Sequence, residues 1–234
     1  MTISAVPTPP PATAARSAPA DTPPWAALPL ALPLALGLAL VTGALLGVVD
    51  LAWNLSDPSA WSAAANSCAV WAGAAYVLGA VLAVVLRTGP ATGAVAGAAM
   101  LVVAVEAYYA AGIWWSGDDR SVLTSASTQT WLQLSVAVGG VLGAAGTWAV
   151  RGRWLPASIA TALGVSVLLG DAVHVWVAQP PGATPGIATC LAVLGVLMLA
   201  ASVRRPAVAA TAALLSVPVT LVVAAAFTAA GVAA

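Results

Sequence analysis

The chain of 234 residues contains no lysine, because its seven basic residues are all arginine. Retinal and pyridoxal phosphate both form a Schiff base with a lysine amine, so a rhodopsin and a pyridoxal enzyme are excluded. Charged residues of either sign make up only 6% of the chain, and seven acidic residues balance the seven arginines. With no net charge and no basic tract, the sequence gives no sign of nucleic acid as a partner.

The shortage of charge is matched by an excess of apolar residues. Hydrophobic residues account for 62% of the chain, and the mean hydropathy is +1.01. A soluble domain carries roughly 25% charged residues, so this composition predicts an integral membrane protein. Of the two cysteines, Cys68 and Cys190, the sequence favours free thiols over a disulfide.

Apolar runs long enough to cross a bilayer, which takes about 20 residues, occur seven times along the chain. They lie at roughly 27–50, 67–86, 93–115, 130–150, 156–178, 188–203 and 207–231. The sequence therefore predicts an all-α fold, a bundle of seven transmembrane helices that forms a single domain over residues 25–234. Residues 1–24, rich in proline and alanine, are predicted to form a disordered tail.

The arginines predict the orientation of this bundle. Six of them fall on one side of a seven-span arrangement: Arg16, Arg87, Arg151, Arg153, Arg204 and Arg205. Only Arg120 falls on the other side. Because cytoplasmic loops are enriched in arginine and lysine, we expect a multi-pass protein of the cell membrane with its N-terminus inside and its C-terminus outside.

Small residues at helical spacing predict where the helices pack. Gly-x-x-x-Gly spacings occur at Gly43–Gly47, Gly93–Gly97 and Gly139–Gly143. Such pairs let the backbones of neighbouring transmembrane helices approach closely. We interpret them as packing positions without a functional role.

The acidic residues within the spans are the first candidates for a functional site. Glu106 lies nine residues before Trp115, about 13 Å along a helix. Asp171 lies in the fifth span, three residues before His174, so the two share a helix face. Ionisable side chains inside a bilayer are costly and usually functional. These two carboxyl groups either stabilise the bundle through buried hydrogen bonds or take part in chemistry.

The other acidic residues and the tryptophans leave further alternatives open. Asp50 closes the first span and is either a solvated helix end or part of the site, whereas Asp118 and Asp119 are expected to be solvated with Arg120. Tryptophan favours both membrane interfaces, but here it is concentrated in the predicted outer half of the molecule. The tryptophans at positions 71, 114 and 176 therefore either belong to an aromatic belt or line a cavity.

Two segments carry a resemblance to known families: NSCAVWAGAAYVLGAVL, residues Asn66–Leu82, and VEAYYAAGIWW, residues Val105–Trp115. With an intramembrane Glu and Asp on different helices, the chain resembles the membrane-integral terpene cyclases, small bacterial enzymes of indole-sesquiterpenoid pathways. It also looks like a widespread actinobacterial family of integral membrane proteins of unassigned function. The aspartate-rich motifs of soluble terpene cyclases, DxDD and DDxxD, do not occur in the sequence.

This resemblance implies an isomerase that cyclises a prenylated substrate, such as a prenylated indole, without a metal or a cofactor. Glu106 or Asp171 would protonate the substrate. Asp50, Tyr109 or His174 would orient the acid or accept the final proton. The aromatic faces of Trp71, Trp114 and Trp176 would stabilise carbocations. The remaining substrate-binding residues would be Trp53, Asn66 and Gln133. We expect the carboxyl groups of Glu106 and Asp171 and the indole groups of separate spans to converge in one dry chamber in the outer half of the molecule.

Two other classes of function remain open. In a small proton-linked transporter, the buried acids would be relay groups. In a non-catalytic membrane protein, they would only hold helices together. The expected partners are a lipophilic prenylated small molecule and membrane lipid, and a homo-oligomer is compatible with the sequence.

Overall fold

The computed structural model describes residues 28–56, 67–178 and 185–229. Within these ranges seven helices are long and apolar enough to cross a membrane, which confirms the predicted all-α bundle. The helices are α1 (Leu28–Ser56), α2 (Cys68–Val85), α3 (Pro90–Trp115), α4 (Ala126–Arg151), α5 (Trp154–Ala178), α6 (Pro185–Ala201) and α7 (Pro206–Ala229). The predicted tail, residues 1–24, and the predicted site residue Asn66 lie outside the described residues.

Two helices begin before their apolar runs, one at a polar capping residue and the other at a proline. α4 begins at Ala126 because the side chain of Ser125 accepts a hydrogen bond from the backbone N–H of Thr128. α3 begins at Pro90, a residue whose fixed φ suits the first position of a helix. Both helices therefore start three or four residues before the predicted spans. Hydropathy detects only the apolar part of a helix and not the turns that extend beyond the bilayer core.

Helix α3 lies between α1 and α4, and glycines line both contacts. A side chain at Gly43 or Gly47 of α1 would collide with the α3 backbone, and Gly97 of α3 faces the backbone of Gly139 in α4. Because backbone atoms cannot move aside as a flexible side chain can, these contacts require the absence of a Cβ. The predicted role of the Gly-x-x-x-Gly spacings in packing is confirmed.

The second half of the bundle is built around α5, which packs against α4, α6 and α7. Hydroxyl groups reinforce the helix contacts by donating to carbonyl groups of neighbouring helices. Thr147 Oγ1 of α4 donates to the Gly79 carbonyl of α2 at 3.1 Å, and Ser166 Oγ of α5 donates to the Ser216 carbonyl of α7 at 3.1 Å. These bonds satisfy polar groups that would otherwise be unpaired in an apolar interior.

The two ends of the bundle differ in charge. The basic end consists of the α2–α3, α4–α5 and α6–α7 turns, in which five arginines lie: Arg87, Arg151, Arg153, Arg204 and Arg205. Arg205 Nη2 donates to the Gly152 carbonyl at 2.8 Å and so joins two of these turns. The acidic end consists of the last turns of α1 and α3, the first turns of α2 and the connection between α3 and α4.

That connection contains a 3₁₀ turn, Arg120–Thr124, and is held down on α4. The hydroxyl of Thr128 donates to the Val122 carbonyl at 2.6 Å. Asp119 begins the 3₁₀ turn, and hydrogen bonds from the side chain and backbone N–H of Ser121 hold the pKa of this carboxyl group below its usual value. The polar stretch after Trp115 is thus an ordered turn, shorter than the sequence suggests.

Candidate functional site

Asp50 is a buried carboxyl group near the acidic end of α1, and its side chain is only 6% exposed. It lies six residues before the end of the helix at Ser56, about 9 Å along the axis. The indole of Trp71, from α2, faces this carboxyl group as a hydrogen-bond donor. Of the alternatives left open by the sequence, a solvated helix end is therefore wrong, because neighbouring helices cover the side chain.

Three aromatic rings form a continuous wall beside Asp50. The rings of Trp71 and Tyr108 meet edge to face with 6.4 Å between their centroids, and those of Tyr108 and Tyr109 meet edge to face at 5.4 Å. Each of the three rings is partly buried. Edge-to-face contacts of this kind fix the rings relative to one another. The structure thus brings together three predicted site residues, Asp50, Trp71 and Tyr109.

Polar groups complete this cluster on the side of the α3–α4 connection. Asn54 Nδ2 approaches the Tyr108 hydroxyl at 3.5 Å, one turn beyond Asp50 on α1. Asp118 lies over Gly112, where a Cβ would come within 2.7 Å of its carboxylate oxygen. Asp50 and Asp118 are both acidic neighbours of Tyr108. We name the six residues the Asp50 site: Asp50, Asn54, Trp71, Tyr108, Tyr109 and Asp118.

Asp171 has a different environment, at the amino end of α2. Its carboxylate accepts a short hydrogen bond from Ser67 Oγ and another from the backbone N–H of Ala69 at 3.1 Å. Ser67 is itself the capping residue of α2. Asp171 thus places an acceptor where helix N–H groups lack partners, an arrangement that stabilises helix ends. His174, one turn further along α5, has Nδ1 3.5 Å from Thr228 Oγ1 of α7.

Glu106 does not join either cluster, because its side chain is exposed on the outer surface of α3. It follows the buried Ala104 by two residues, about 200° around the helix, and so points away from the packed face. Moreover, α3 packs mainly against α1 and α4, and has no extended contact with α5. The prediction that Glu106 and Asp171 meet in one chamber is therefore wrong. The catalytic role assigned to each stays a prediction.

The remaining predicted site residues lie on the surface of the bundle. Trp114 is 87% exposed and Trp176 is 67% exposed, and Trp53 and Gln133 are also exposed. Trp176 lines an open apolar groove of about 490 Å³ between α5 and α6. A shared chamber that contains these tryptophans and Asp50 is not formed by the described residues. Their exposure near the acidic end is typical of an aromatic belt at a membrane interface.

Sequence reasoning missed Tyr108, and it did not predict the contact of Asp118 with Gly112. Asp118 is exposed in the loop after α3, as predicted, and its carboxylate lies over Gly112. Tyr108 stands next to the predicted Tyr109, but only the structure shows that its ring is the one between Trp71 and Tyr109. The position of Asp118 could have been inferred from Gly112, because the absence of a side chain at this glycine leaves room for the Asp118 carboxylate. A glycine near the end of an apolar span, followed by an acidic residue in the next turn, is a pattern that could have indicated this contact.

Fold and site together define a polytopic all-α membrane protein with a buried carboxyl group beside aromatic rings. The chain belongs to the family of unknown function DUF6518, whose model matches residues 27–233. No curated protein and no solved structure matches the chain. The family match spans all seven helices, and the function has to be inferred from the chemistry of the site.

Proposed function

We propose that the protein is a membrane-integral terpene cyclase in which Asp50 is the proton donor. The observation that carries this proposal is the position of a buried carboxyl group against the indole of Trp71, with Tyr108 beside it. A general acid must hold a proton, and burial away from water disfavours the charged form of a carboxyl group. Of the predicted acids, Asp50 alone combines burial with an aromatic wall.

The reaction would be an isomerisation of a prenylated lipophile, such as a prenylated indole, that enters from the lipid. Asp50 would transfer its proton to one carbon of a terminal alkene, and the neighbouring carbon would become a cation. An internal alkene would close the ring by attacking this cation. Loss of a proton from a ring carbon to the Asp50 carboxylate would then form the product alkene and restore the acid. No oxidant or reductant is required.

The aromatic wall suits the cationic intermediates of such a reaction. A cation over the face of Trp or Tyr gains about 0.5–2 kcal/mol, with the larger value where water is excluded. Trp71 and Tyr108 both neighbour the Asp50 carboxyl group, and Tyr109 continues this row of rings through its edge-to-face contact with Tyr108. The contact between Asn54 and the Tyr108 hydroxyl would hold the central ring in place.

Product analysis with paired variants tests this proposal. Membranes that contain the full chain are supplied with prenylated indoles, and cyclised products are measured for the unmodified protein, Asp50→Asn and Glu106→Gln. Both variants remove one carboxyl group from a span, but only Asp50 faces the aromatic wall. We expect product to fall at least about 100-fold in Asp50→Asn, the usual scale of general acid catalysis, and to persist in Glu106→Gln. If cyclised product were lost in Glu106→Gln but kept in Asp50→Asn, the assignment of Asp50 as the proton donor would be wrong.

A second candidate, a non-catalytic membrane protein, is favoured by the contacts of Asp171. This carboxyl group is used to cap α2, and the hydroxyls of Thr147 and Ser166 are bonded to carbonyl groups of neighbouring helices. These polar groups serve helix cohesion, which also makes the proton-relay path of a transporter the weaker alternative. In this case Asp50→Asn would lower the stability of the bundle, and the unmodified chain would give no cyclised product.

We further propose that the protein resides in the cell membrane with its basic end toward the cytoplasm. The five arginines of the described turns lie at this end, in accordance with the positive-inside rule. A phosphatase domain fused after Ala234 would then be active outside the cell, whereas activity of the same fusion only in the cytoplasm would reverse the orientation.

A further inference from the structure

A second cavity lies at the basic end, far along the bundle from the Asp50 site. It is an open cleft with a volume of about 240 Å³, and it lies between the α2–α3 turn and the last turns of α4. Its lining comprises Arg87, Thr88, Gly89, Pro90, Thr147, Trp148, Arg151 and Gly152. Two arginines thus line a space into which no acidic side chain of the described residues projects. The charge balance of this cavity favours an anion.

The amino end of α3 adds a further attraction for an anion. The helix is 26 residues long and starts at Pro90, and Gly89 before it supplies no side-chain cap. The first N–H groups of a helix have no partner within the helix, and the helix dipole makes this end partly positive. Phosphate groups bind at helix ends of this kind.

Thr88 supplies the independent sign of a ligand. Its side chain is 94% buried, since only 6% is exposed, and its hydroxyl has no hydrogen-bond partner among the described residues. The other threonine of the lining, Thr147, is bonded to the Gly79 carbonyl at 3.1 Å. Because buried hydroxyl groups are almost always bonded, the Thr88 hydroxyl marks a position for an acceptor that the described residues do not supply.

The backbone at Arg87 places its side chain at this cavity. Arg87 lies just beyond the end of α2 and has φ of +54°, the left-handed conformation that commonly closes a helix. The backbone N–H of Thr88 donates to the Leu82 carbonyl at 3.4 Å across this turn. The end of α2 thus sets the position of Arg87 in the cavity lining.

We infer that this cavity binds a phosphate group, and that the source is the headgroup of an anionic phospholipid. Arg87 and Arg151 would pair with the phosphate oxygens, the Thr88 hydroxyl would donate a hydrogen bond, and the amino end of α3 would face the same group. The cavity lies where transmembrane helices end, the depth at which headgroups lie, and basic pockets between spans are typical lipid sites. The half-exposed indole of Trp148 offers an apolar wall for the glycerol backbone.

Lipid titration of the purified full chain in detergent tests this inference. The probes are phosphatidylglycerol, zwitterionic phosphatidylcholine and inorganic phosphate, and the readouts are bound lipid by native mass spectrometry and the shift in Tm. We expect phosphatidylglycerol to bind and raise Tm more than phosphatidylcholine does. If inorganic phosphate alone raises Tm to the same extent, the anion site stands but free phosphate becomes its source. If none of the three probes raises Tm, the inference is overturned.

Three variants separate binding from folding. Thr88→Val should weaken phosphatidylglycerol binding about tenfold, the cost of one hydrogen bond to a charged group, while the lipid-free protein keeps its Tm or gains stability. Arg87→Gly should stabilise the lipid-free protein by relieving the backbone, and yet weaken lipid binding. Arg153→Gln is the matched control, because Arg153 lies in the α4–α5 turn but does not line the cavity.

The inference fails if the control lowers lipid binding as much as Arg87→Gly does, since general surface charge would then explain the affinity. It also fails if Thr88→Val lowers the Tm of the lipid-free protein, since the hydroxyl would then have a structural partner. The Asp50 site is not altered by these variants, so the outcome is independent of the proposed cyclase activity.

Discussion

The contact between Asp171 and the amino end of α2 can be tested by a double-mutant cycle with Ser67. Asp171→Ala removes the acceptor of two donors, the Ser67 hydroxyl and the backbone N–H of Ala69. A buried donor that loses its partner costs about 1–3 kcal/mol, so we expect a loss of about 2–4 kcal/mol in the free energy of unfolding. Ser67→Ala removes a helix cap and should cost about 1 kcal/mol.

Since the two side chains share one hydrogen bond, their effects should not add. We expect the double variant to lose about 1–2 kcal/mol less than the sum of the single losses. The assay is reversible unfolding of the purified protein in mixed micelles with a rising fraction of sodium dodecyl sulfate, followed by circular dichroism. Asp119→Ala is the control, because Asp119 also caps a turn but is fully exposed, and its loss should be small.

Two results would refute this account of Asp171. Additive effects, to within about 0.5 kcal/mol, would mean that Ser67 and Asp171 do not stabilise α2 together. A loss from Asp171→Ala no larger than that from Asp119→Ala would mean that the carboxyl group has no capping role. If cyclised product then vanished while stability stayed unchanged, Asp171 would return as the catalytic acid.

Two further predictions concern helix packing and use the same unfolding assay. Gly143→Ala should lower the free energy of unfolding by about 1–3 kcal/mol, because its Cβ would meet the Gly93 carbonyl of α3. Gly37→Ala, which has open space around it, should be neutral or stabilising by up to about 1 kcal/mol. Equal effects at the two glycines would contradict the close contact of α3 with α4. Thr147→Val removes the hydrogen bond to the Gly79 carbonyl and should cost about 0.6 kcal/mol, the average for such bonds between transmembrane helices; a loss above about 2 kcal/mol would show that the hydroxyl does more than join α4 to α2.

The seven spans were predictable because the length of an apolar run is set by the thickness of the bilayer. The positions of close approach were predictable too, since only glycine permits them. The starts of α3 and α4 were not, because Pro90 and Ser125 act through backbone geometry and capping, which hydropathy does not record. A polar residue next to an apolar run can belong to the helix or to the loop. Which of the two it joins depends on the hydrogen bonds that it makes in the folded protein.

The site was less predictable than the fold, for a physical reason that Glu106 illustrates. α3 is apolar around its whole circumference, so the sequence contains no stripe that indicates which side faces the bundle. The direction of Glu106 depends on α1 and α4, which occupy the other faces. Asp171 meets its partner Ser67 across 104 residues, a separation at which sequence patterns carry no information without an alignment. Asp50 was among the candidates, but its burial required the position of α2.

The cap that α5 provides for α2 also bears on how the chain is made. α2 is synthesised long before Asp171, so its first N–H groups must at first be satisfied by water or lipid headgroups. Only when the fifth span has entered the membrane does the carboxyl group displace these temporary partners. The amino end of α2 is therefore completed only after α5 has been inserted. In a nascent chain that stops in the α4–α5 turn, the Ser67 hydroxyl and the Ala69 N–H still lack the Asp171 carboxylate as their acceptor.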